Sequence, residues 1–539
     1  MATEETDNQF ERSRGLRLQQ LKGQLFEVTL IAATLVGILA VLALFIQISV
    51  DAFHLETAST TWFLVYFATL VGPTAGFTLY ARRRPAVRKT NAKAYAAVFG
   101  GLLLSLVTYA VIDALSPYDV FVYVVFASLP PALVVAYDRI TKAEAYTGPA
   151  IPASILVGVG LAAVLHGFIR GPLGVAAEWI MYAALTTVPV ALLIGRQTWI
   201  RRGRRAGAVA GAVVAVGGLA VAVAAIGIGV NASLPVVLYS AFVVPTGYVI
   251  GRSIRANPAG RLGAAGPFIP LVGTLLGAVV VGRFSITNPE TFLTPNLLLQ
   301  SWDGLTASNA GVYPQIVGSI VIVGFMAILA FPVGIGAAVY LEEYAPETGL
   351  RGRLATMLEI NISNLAGVPS VVYGLLGLAL FRNTLGFGTG IVFSAAGTLG
   401  LLILPIVIVS TQEALRSVPN NLRQASYGMG ASRWQTLRNV VLPEAVPGTL
   451  TGTILALARA IGETAPLVII AVATTKYSPP SGLFSSATAL SLQIFAAAAN
   501  AKPEFRHGVV PAAAVVLLIL MLLMNATAIV IRNRYDRQT

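Results

Sequence analysis

With 539 residues, of which 56% are hydrophobic and only 11% are charged, this chain has a mean hydropathy of +0.78 and a formal charge of +13. Soluble domains carry about 25% charged residues, so the composition excludes an ordinary soluble protein and indicates an integral membrane protein. Cysteine is absent, which excludes disulfides and thiolate metal sites. The three histidines (His54, His166 and His507) show no spacing typical of metal ligands, so we expect no metal site.

Apolar runs long enough to cross a membrane, about 20 residues each, recur along the whole chain. The first follows a polar N-terminal segment and exceeds the about 7–15 apolar residues of a secretion signal, so we expect it to be retained as a span. The predicted fold class is all-α, a polytopic membrane protein with about 14 transmembrane helices. The runs lie near residues 25–50, 61–81, 94–113, 119–137, 150–169, 174–195, 207–230, 233–251, 266–284, 314–341, 357–381, 388–411, 444–473 and 508–532.

Lysine and arginine alternate between loops in the way that sets the orientation of multi-pass membrane proteins, whose cytoplasmic loops are richest in cations. If the N-terminus is cytoplasmic, every second loop is rich in cations and the loops between them hold few. This alternation predicts a cell-membrane protein with both termini in the cytoplasm, and it explains the net charge without nucleic-acid binding. The largest groups are Arg82, Arg83, Arg84, Arg88, Lys89 and Lys93; Arg196, Arg201, Arg202, Arg204 and Arg205; and Arg416, Arg423, Arg433 and Arg438.

The two parts of the chain differ in where their polar residues lie. Between about residues 51 and 284 the loops are short and the spans are rich in alanine, valine and glycine. From residue 285 onward the outer loops lengthen and polar residues enter the spans. Polar groups inside a membrane are costly, so we expect the functional residues in this second part.

A polar segment at 412–443 separates two of the spans on the cytoplasmic side. Pro419 suits the first turn of a helix, and Gly430 permits a turn. Ser432 and Gln435 form a capping-box pattern that begins a second short helix, which Pro443 should end. We predict two short helices with a part-apolar face that lies on the membrane or docks a partner protein. The residues predicted to share that face are Leu422, Ala425, Ser426 and Met429.

The spacing in this segment resembles the EAA loop of ABC-importer permeases: Glu-Ala-Ala, three residues, Gly, nine residues, Ile, one residue, Leu-Pro. Here Gln424 replaces the acidic residue, Ser426 replaces an alanine and Val440 stands at the isoleucine position. The resemblance implies that the segment couples the chain to a separate ATPase. The implied coupling residues are Gln424, Ala425, Ser426, Gly430, Val440, Leu442 and Pro443.

Three further stretches narrow the resemblance to the phosphate-import permeases of the PstA type. They are VGSIVIVGFMAILAFPVGIGAAVYLEEYAP (317–346), NLAGVPSVVYGLLGLALF (364–381) and ARAIGETAPL (458–467). The implied division is a cytoplasmic tail (1–24), a first permease span (25–50), an inserted region of about eight spans with no known role (51–284), an extracellular loop (285–313), a type I ABC permease core (314–532) that contains the coupling loop (412–443), and a cytoplasmic tail (533–539).

Arg459 and Glu463 are charged residues inside a predicted span, four positions apart and therefore on one helix face. Arg459 lies about 24 Å along a helix from Pro443, well inside the membrane, where it needs a partner or water. The two residues either form a structural ion pair or line the pathway of an oxyanion, which the guanidinium can bind through paired N–H groups. The resemblance places them in the translocation helix, and Thr464 could add a hydroxyl.

The chain has no Gly-x4-Gly-Lys-Ser/Thr loop, and the hydroxyls and carboxylates of its spans have no histidine nearby in sequence. We therefore expect a transport subunit and not an enzyme, with no cofactor of its own. The resemblance implies an ATP-driven phosphate importer in which a second, PstC-like permease completes the pathway. PstB-like ATPase subunits would bind ATP and Mg²⁺, and an extracellular PstS-like protein would deliver phosphate.

Two alternative functions stay open at this point. One keeps the ABC mechanism and changes the substrate to sulfate or molybdate. The other is a secondary transporter driven by an ion gradient, which usually has two related halves with broken helices at mid-membrane. One polar half and one apolar half disfavour that second alternative.

Overall fold

The computed structural model describes residues 2–141, 153–155, 157–162, 164–165, 178–346 and 348–535. In these ranges nearly all residues are helical, and the extended pairing consists of two isolated bridges, Ile391 with Ser486 and Ala473 with Thr488. The predicted all-α class is confirmed.

Within its described ranges, the first part of the chain is a series of long apolar helices, and those that directly follow one another are joined by short turns. Several contain a π turn, and α1 runs unbroken from the N-terminal segment into the first span. The helices are α1 (Ala2–Phe53), α2 (Thr60–Arg82), α3 (Pro85–Ala114), α4 (Pro117–Thr141), α5 (Glu178–Arg202), α6 (Arg204–Gly227), α7 (Ser233–Ala256) and α8 (Pro258–Arg283), with a short turn of helix at Leu55–Thr57.

The second part begins with a long loop that holds two short helical turns, Pro295–Leu299 and Ala307–Asn309. The helices that follow are α9 (Tyr313–Tyr344), α10 (Gly349–Ala366), α11 (Ser370–Thr384), α12 (Val392–Arg416), α13 (Asn420–Gly428), α14 (Arg433–Gly462), α15 (Ala465–Ile469), α16 (Leu490–Ala498) and α17 (Val510–Tyr535), the last entered through a π turn at Phe505–Val509.

Twelve helices of the described residues are long and apolar enough to cross a membrane, and α10 with α11 forms one bent pair that also qualifies. Nine of the twenty residues of the predicted span at 150–169 lie outside the described residues. The prediction of about 14 transmembrane helices is therefore close to what the structure shows.

The prediction of one continuous span at 357–381 is wrong, because α10 and α11 meet at an angle of 111°. The bend lies at Pro369, whose missing N–H and bulky ring cannot continue a helix past the carbonyl of Leu365. That carbonyl accepts a hydrogen bond from the Tyr373 hydroxyl at 2.7 Å instead. The side chain of Tyr373 is buried and fixes the bend.

The span predicted at 444–473 is also broken in the structure. Its helix ends at Gly462, and Glu463 and Thr464 are not helical. Pro466 follows, and in a continuous helix its ring would clash with the Gly462 carbonyl. The helix also begins earlier than predicted, at Arg433, because Pro443 lies inside a continuous helix and does not end one. The break puts Arg459 in the last turn of α14.

The main hydrophobic core is centred on α9 and α12, which pack more extensively against each other than any other pair of helices. Helix α3 of the region predicted to be an insertion joins this core through Leu103, Ala110 and Ala114. It also packs against α17, as α1 does. The Tyr313 hydroxyl of α9 donates to the Asp113 carboxylate of α3 at 2.9 Å. The first part of the chain is therefore packed into the second part.

Candidate functional site

The coupling segment forms a helix, a tight turn and a second helix, as predicted. Helix α13 ends at Gly428, and Gly430 adopts a left-handed conformation with φ of +83°, which glycine enters without strain. Ser432 then caps α14: its hydroxyl accepts from the Gln435 N–H, and the Gln435 side chain accepts from the Ser432 N–H at 2.8 Å. The predicted capping box is confirmed.

The inner side of this element is a small hydrophobic core of its own. Its buried residues come from the end of α12, the following turn and the start of α14. The Ser426 hydroxyl is buried and lies 2.8 Å from that of Thr436, which joins the two helices. The prediction that Ser426 shares an exposed face with Leu422 is therefore wrong, because its side chain points inward. The core residues are Ala414, Leu415, Val418, Leu437, Val441 and Ala445.

The outer side presents large apolar side chains to the surroundings. Met429 at the turn is 83% exposed and Trp434 is 57% exposed, with Tyr427 and Leu422 beside them. Apolar groups held outward by a packed base are typical of a docking surface. Of the predicted coupling residues, Gln424, Ala425, Gly430 and Pro443 are exposed, Val440 and Leu442 are partly buried, and Ser426 is buried.

Three carboxylates tie this element to the neighbouring helices. Arg423 of α13 contacts Glu343 at 2.9 Å and donates to the Leu415 carbonyl at 2.7 Å. Arg416 at the end of α12 contacts Glu342 at 2.9 Å and Glu359 at 3.4 Å. Sequence reasoning missed these pairs. The partners of each pair are about 60–80 residues apart in the sequence, so no local sequence pattern predicts their contact.

The predicted pathway residues lie together at the end of α14. Arg459 Nε lies 3.2 Å from Glu463 Oε1, and the arginine side chain is 46% exposed while that of Glu463 is 16% exposed. The backbone of Glu463 is fixed from another helix, because Ser491 donates to its carbonyl at 3.1 Å. Thr464 follows directly and precedes α15.

The loop beyond this break folds back onto the core. Buried Gln315 of α9 donates to Gln493 and to the Lys476 carbonyl, both at 3.1 Å. The Lys476 ammonium donates to the Ser486 carbonyl, and partial burial lowers the pKa of this lysine below its ordinary value. These contacts hold the chain that follows the Arg459–Glu463 pair against α9.

Among the described residues, no three histidine, aspartate or glutamate side chains form a group that could hold a metal ion.

The predicted site residues fall into two separate places. The coupling residues lie at one end of α14, and Arg459, Glu463 and Thr464 lie at its other end.

Comparison with known proteins places residues 330–539 in a protein family described as "Binding-protein-dependent transport system inner membrane component". The chain is 38% identical over 204 residues to the phosphate transport system permease protein PstA 1 of Mycobacterium tuberculosis, a match that covers 38% of this chain and 63% of that protein. The chain thus spans less than two thirds of this relative's length.

A second relative is the probable ABC transporter permease protein YqgI of Bacillus subtilis, 32% identical over 240 residues, with 42% of this chain and 79% of that protein covered. A solved chain of the MetNI methionine ABC transporter in an inward-facing conformation is 19% identical and has a TM-score of 0.31, with 42% of this chain and 94% of that one covered. The extent and identity of the YqgI match, together with the family match over the C-terminal helices, show that this chain belongs to the family of binding-protein-dependent transport system inner membrane components.

Proposed function

We propose that the chain is a permease subunit of an ATP-driven phosphate importer. The observation that carries the proposal is the apolar tip of the coupling element, formed by Met429, Trp434 and Tyr427 and held outward by a packed base. Phosphate is named because the M. tuberculosis relative is a phosphate transport system permease.

The coupling element is suited to dock a separate ATPase subunit that binds ATP and Mg²⁺. Exposed apolar groups on a rigid helical hairpin supply the hydrophobic contact of a helix-in-groove interface. Arg423 links α13 through an ion pair to Glu343 of α9. Arg416, at the end of the adjacent α12, is paired with Glu342 of α9 and Glu359 of α10. A displacement of α13 by the ATPase therefore pulls directly on α9.

Arg459 is suited to contact phosphate along the pathway. The contact described for it uses Nε, which leaves the two terminal nitrogens of the guanidinium for a phosphate oxygen. Glu463 reduces the net charge of the site, which favours release after binding. The exposure of Arg459 in the isolated chain calls for a second, PstC-like permease that covers this face, because an arginine facing lipid is costly.

The test is ATP-driven uptake in proteoliposomes that contain this chain, its companion permease and the ATPase, with a phosphate-binding protein supplied from outside. Phosphate uptake that depends on ATP and is not reduced by excess sulfate or molybdate is the expected result. Uptake that sulfate or molybdate blocks, or that persists without ATP in an ion gradient, would refute the proposal.

A further inference from the structure

The hairpin of α5 and α6 carries a feature that the permease function does not use. The two helices pack closely through glycine: Gly207 lies against Trp199 and the Gly195 carbonyl, and Gly211 lies against the Ala191 carbonyl. Small residues at such a crossing let the two backbones approach closely. Residues of both helices line a cleft of about 1180 Å³.

The long wall of this cleft is apolar and its mouth is cationic. Apolar side chains line it from Val188 on one helix to Ala215 on the other. Arg196, Arg201 and Arg204 line the end near the turn between the helices. We call this feature the arginine-rimmed cleft. From the turn to Val188 it extends about 22 Å at about 1.5 Å per residue, more than the about 15 Å depth of one leaflet of the hydrocarbon core.

The arginines of the cleft are not neutralised within the described part of the chain. Arg416 and Arg423 each contact a carboxylate, whereas no ion pair is recorded there for the three cleft arginines, all of which are exposed. The Arg204 guanidinium lies over the Trp199 ring, 5.8 Å from its centroid. Such stacking orients a guanidinium while leaving its N–H groups free for an anion.

We propose that the arginine-rimmed cleft binds an anionic phospholipid, with the headgroup phosphate at Arg196, Arg201 and Arg204 and an acyl chain along the apolar wall. Charge complementarity selects an anionic headgroup, since basic pockets between transmembrane helices on the cytoplasmic side are typical sites for anionic lipids. The apolar wall selects a lipid over free phosphate, because an acyl chain gains from contact with apolar side chains and an inorganic anion does not. The charge pattern predicts that the arginine end faces the cytoplasm. This inference concerns the region at 51–284 and does not depend on the transported substrate.

The test is native mass spectrometry of the full chain, released from micelles with equal amounts of phosphatidylglycerol and phosphatidylcholine of identical acyl chains. The wild type should retain phosphatidylglycerol selectively. The Arg196→Gln, Arg201→Gln, Arg204→Gln triple variant should bind it about a hundredfold more weakly, because each basic residue near an anionic lipid contributes about fivefold. Equal retention of both lipids by the wild type would overturn the proposal.

A matched charge control is the Arg82→Gln, Arg83→Gln, Arg88→Gln triple variant, which removes the same charge from exposed positions outside the cleft. It should keep the selectivity; a loss equal to that of the cleft variant would mean that net charge alone attracts the lipid, and would refute the site. Inorganic phosphate at millimolar concentration should not displace the bound lipid, and full displacement would refute the lipid assignment.

The apolar wall is tested separately at Ala212, an exposed residue that lines the cleft. Ala212→Trp fills the cleft and keeps every arginine, so it should reduce lipid retention. Val213→Trp places the same ring on the next position, whose side chain is 64% exposed and outside the cleft, and should have no effect. Equal behaviour of these two variants would contradict the acyl-chain position. Circular dichroism of all variants checks that the helices remain folded.

Discussion

Replacing Gly430 with valine changes the coupling element through a single backbone torsion angle. Gly430 has φ of +83°, and a Cβ built on it meets no atom within 4 Å, so the substitution introduces no clash. Its cost is conformational: a residue with a side chain loses about 1–2 kcal/mol in the left-handed region, and a β-branched one loses at least that. A cost of this size lowers the equilibrium ratio of the native turn to its alternatives about 5- to 30-fold.

We expect Gly430→Val to lower ATP-driven phosphate uptake, by up to about that factor. The spans should assemble normally, because the main core lies around α9 and α12 and not at this turn. Gly430→Asn is the matched control: asparagine enters the left-handed region more readily than valine does, so uptake should stay near the wild-type level. The assay is uptake and ATP hydrolysis in proteoliposomes, with assembly monitored by size-exclusion chromatography. Equal uptake by the valine and asparagine variants would refute the reasoning.

Three further changes probe other parts of the structure. Arg459→Ala should abolish phosphate uptake while the complex still assembles. Arg459→Lys should keep only part of the uptake, because lysine lacks the paired N–H groups. Normal uptake by the alanine variant would mean that Arg459 and Glu463 form only a structural ion pair. Arg423→Ala should lower the thermal stability of the chain by up to about 3–5 kcal/mol, because it leaves Glu343 largely buried and unpaired. Adding Glu343→Gln to that variant should recover part of the lost stability. Additive losses from the two substitutions would mean that the pair does not interact. Tyr313→Phe removes the hydroxyl that joins α9 to Asp113 and should cost about 1–3 kcal/mol in thermal unfolding, whereas an unchanged melting temperature would mean that this bond is dispensable.

The features predicted from the sequence are those that depend on local patterns. Hydropathy over about 20 residues located the spans, because each must be apolar along its own length. The capping box of Ser432 and Gln435 was predicted for the same reason, since it lies within four consecutive residues. Spacing from Gly430 to Pro443 carried the resemblance from which the coupling role of this segment is predicted.

The helix breaks were missed because hydropathy continues through them. Pro369 and Pro466 follow breaks, yet Pro332, Pro405 and Pro447 lie inside continuous helices. Membrane helices tolerate proline where neighbouring groups satisfy the freed carbonyl, so proline alone does not locate a break. The deciding contacts come from elsewhere in the chain, such as the tyrosine that takes up the freed carbonyl of α10.

The ion pairs of the coupling element were missed for a related reason. Arg416 and Glu342 are brought together only when α9 packs against α12. The sequence periodicity of either helix alone does not predict this contact. The inward orientation of Ser426 was likewise decided by Thr436 on the other side of the turn. Helical spacing fixes which residues share a face, whereas the neighbouring helix decides which face is buried.

Helix α14 runs from the coupling element to Arg459 through a π turn at Leu437–Val441, so that a tilt at one end of the helix displaces the other. Arg433 and Arg459 are 26 residues apart, about 39 Å along a helix. A rigid rod of that length, tilted by about 5° at one end, moves its other end by about 3 Å, which is the length of a hydrogen bond. On the role proposed for Arg459, a small rotation at the surface is therefore enough to make or break its contact with an anion.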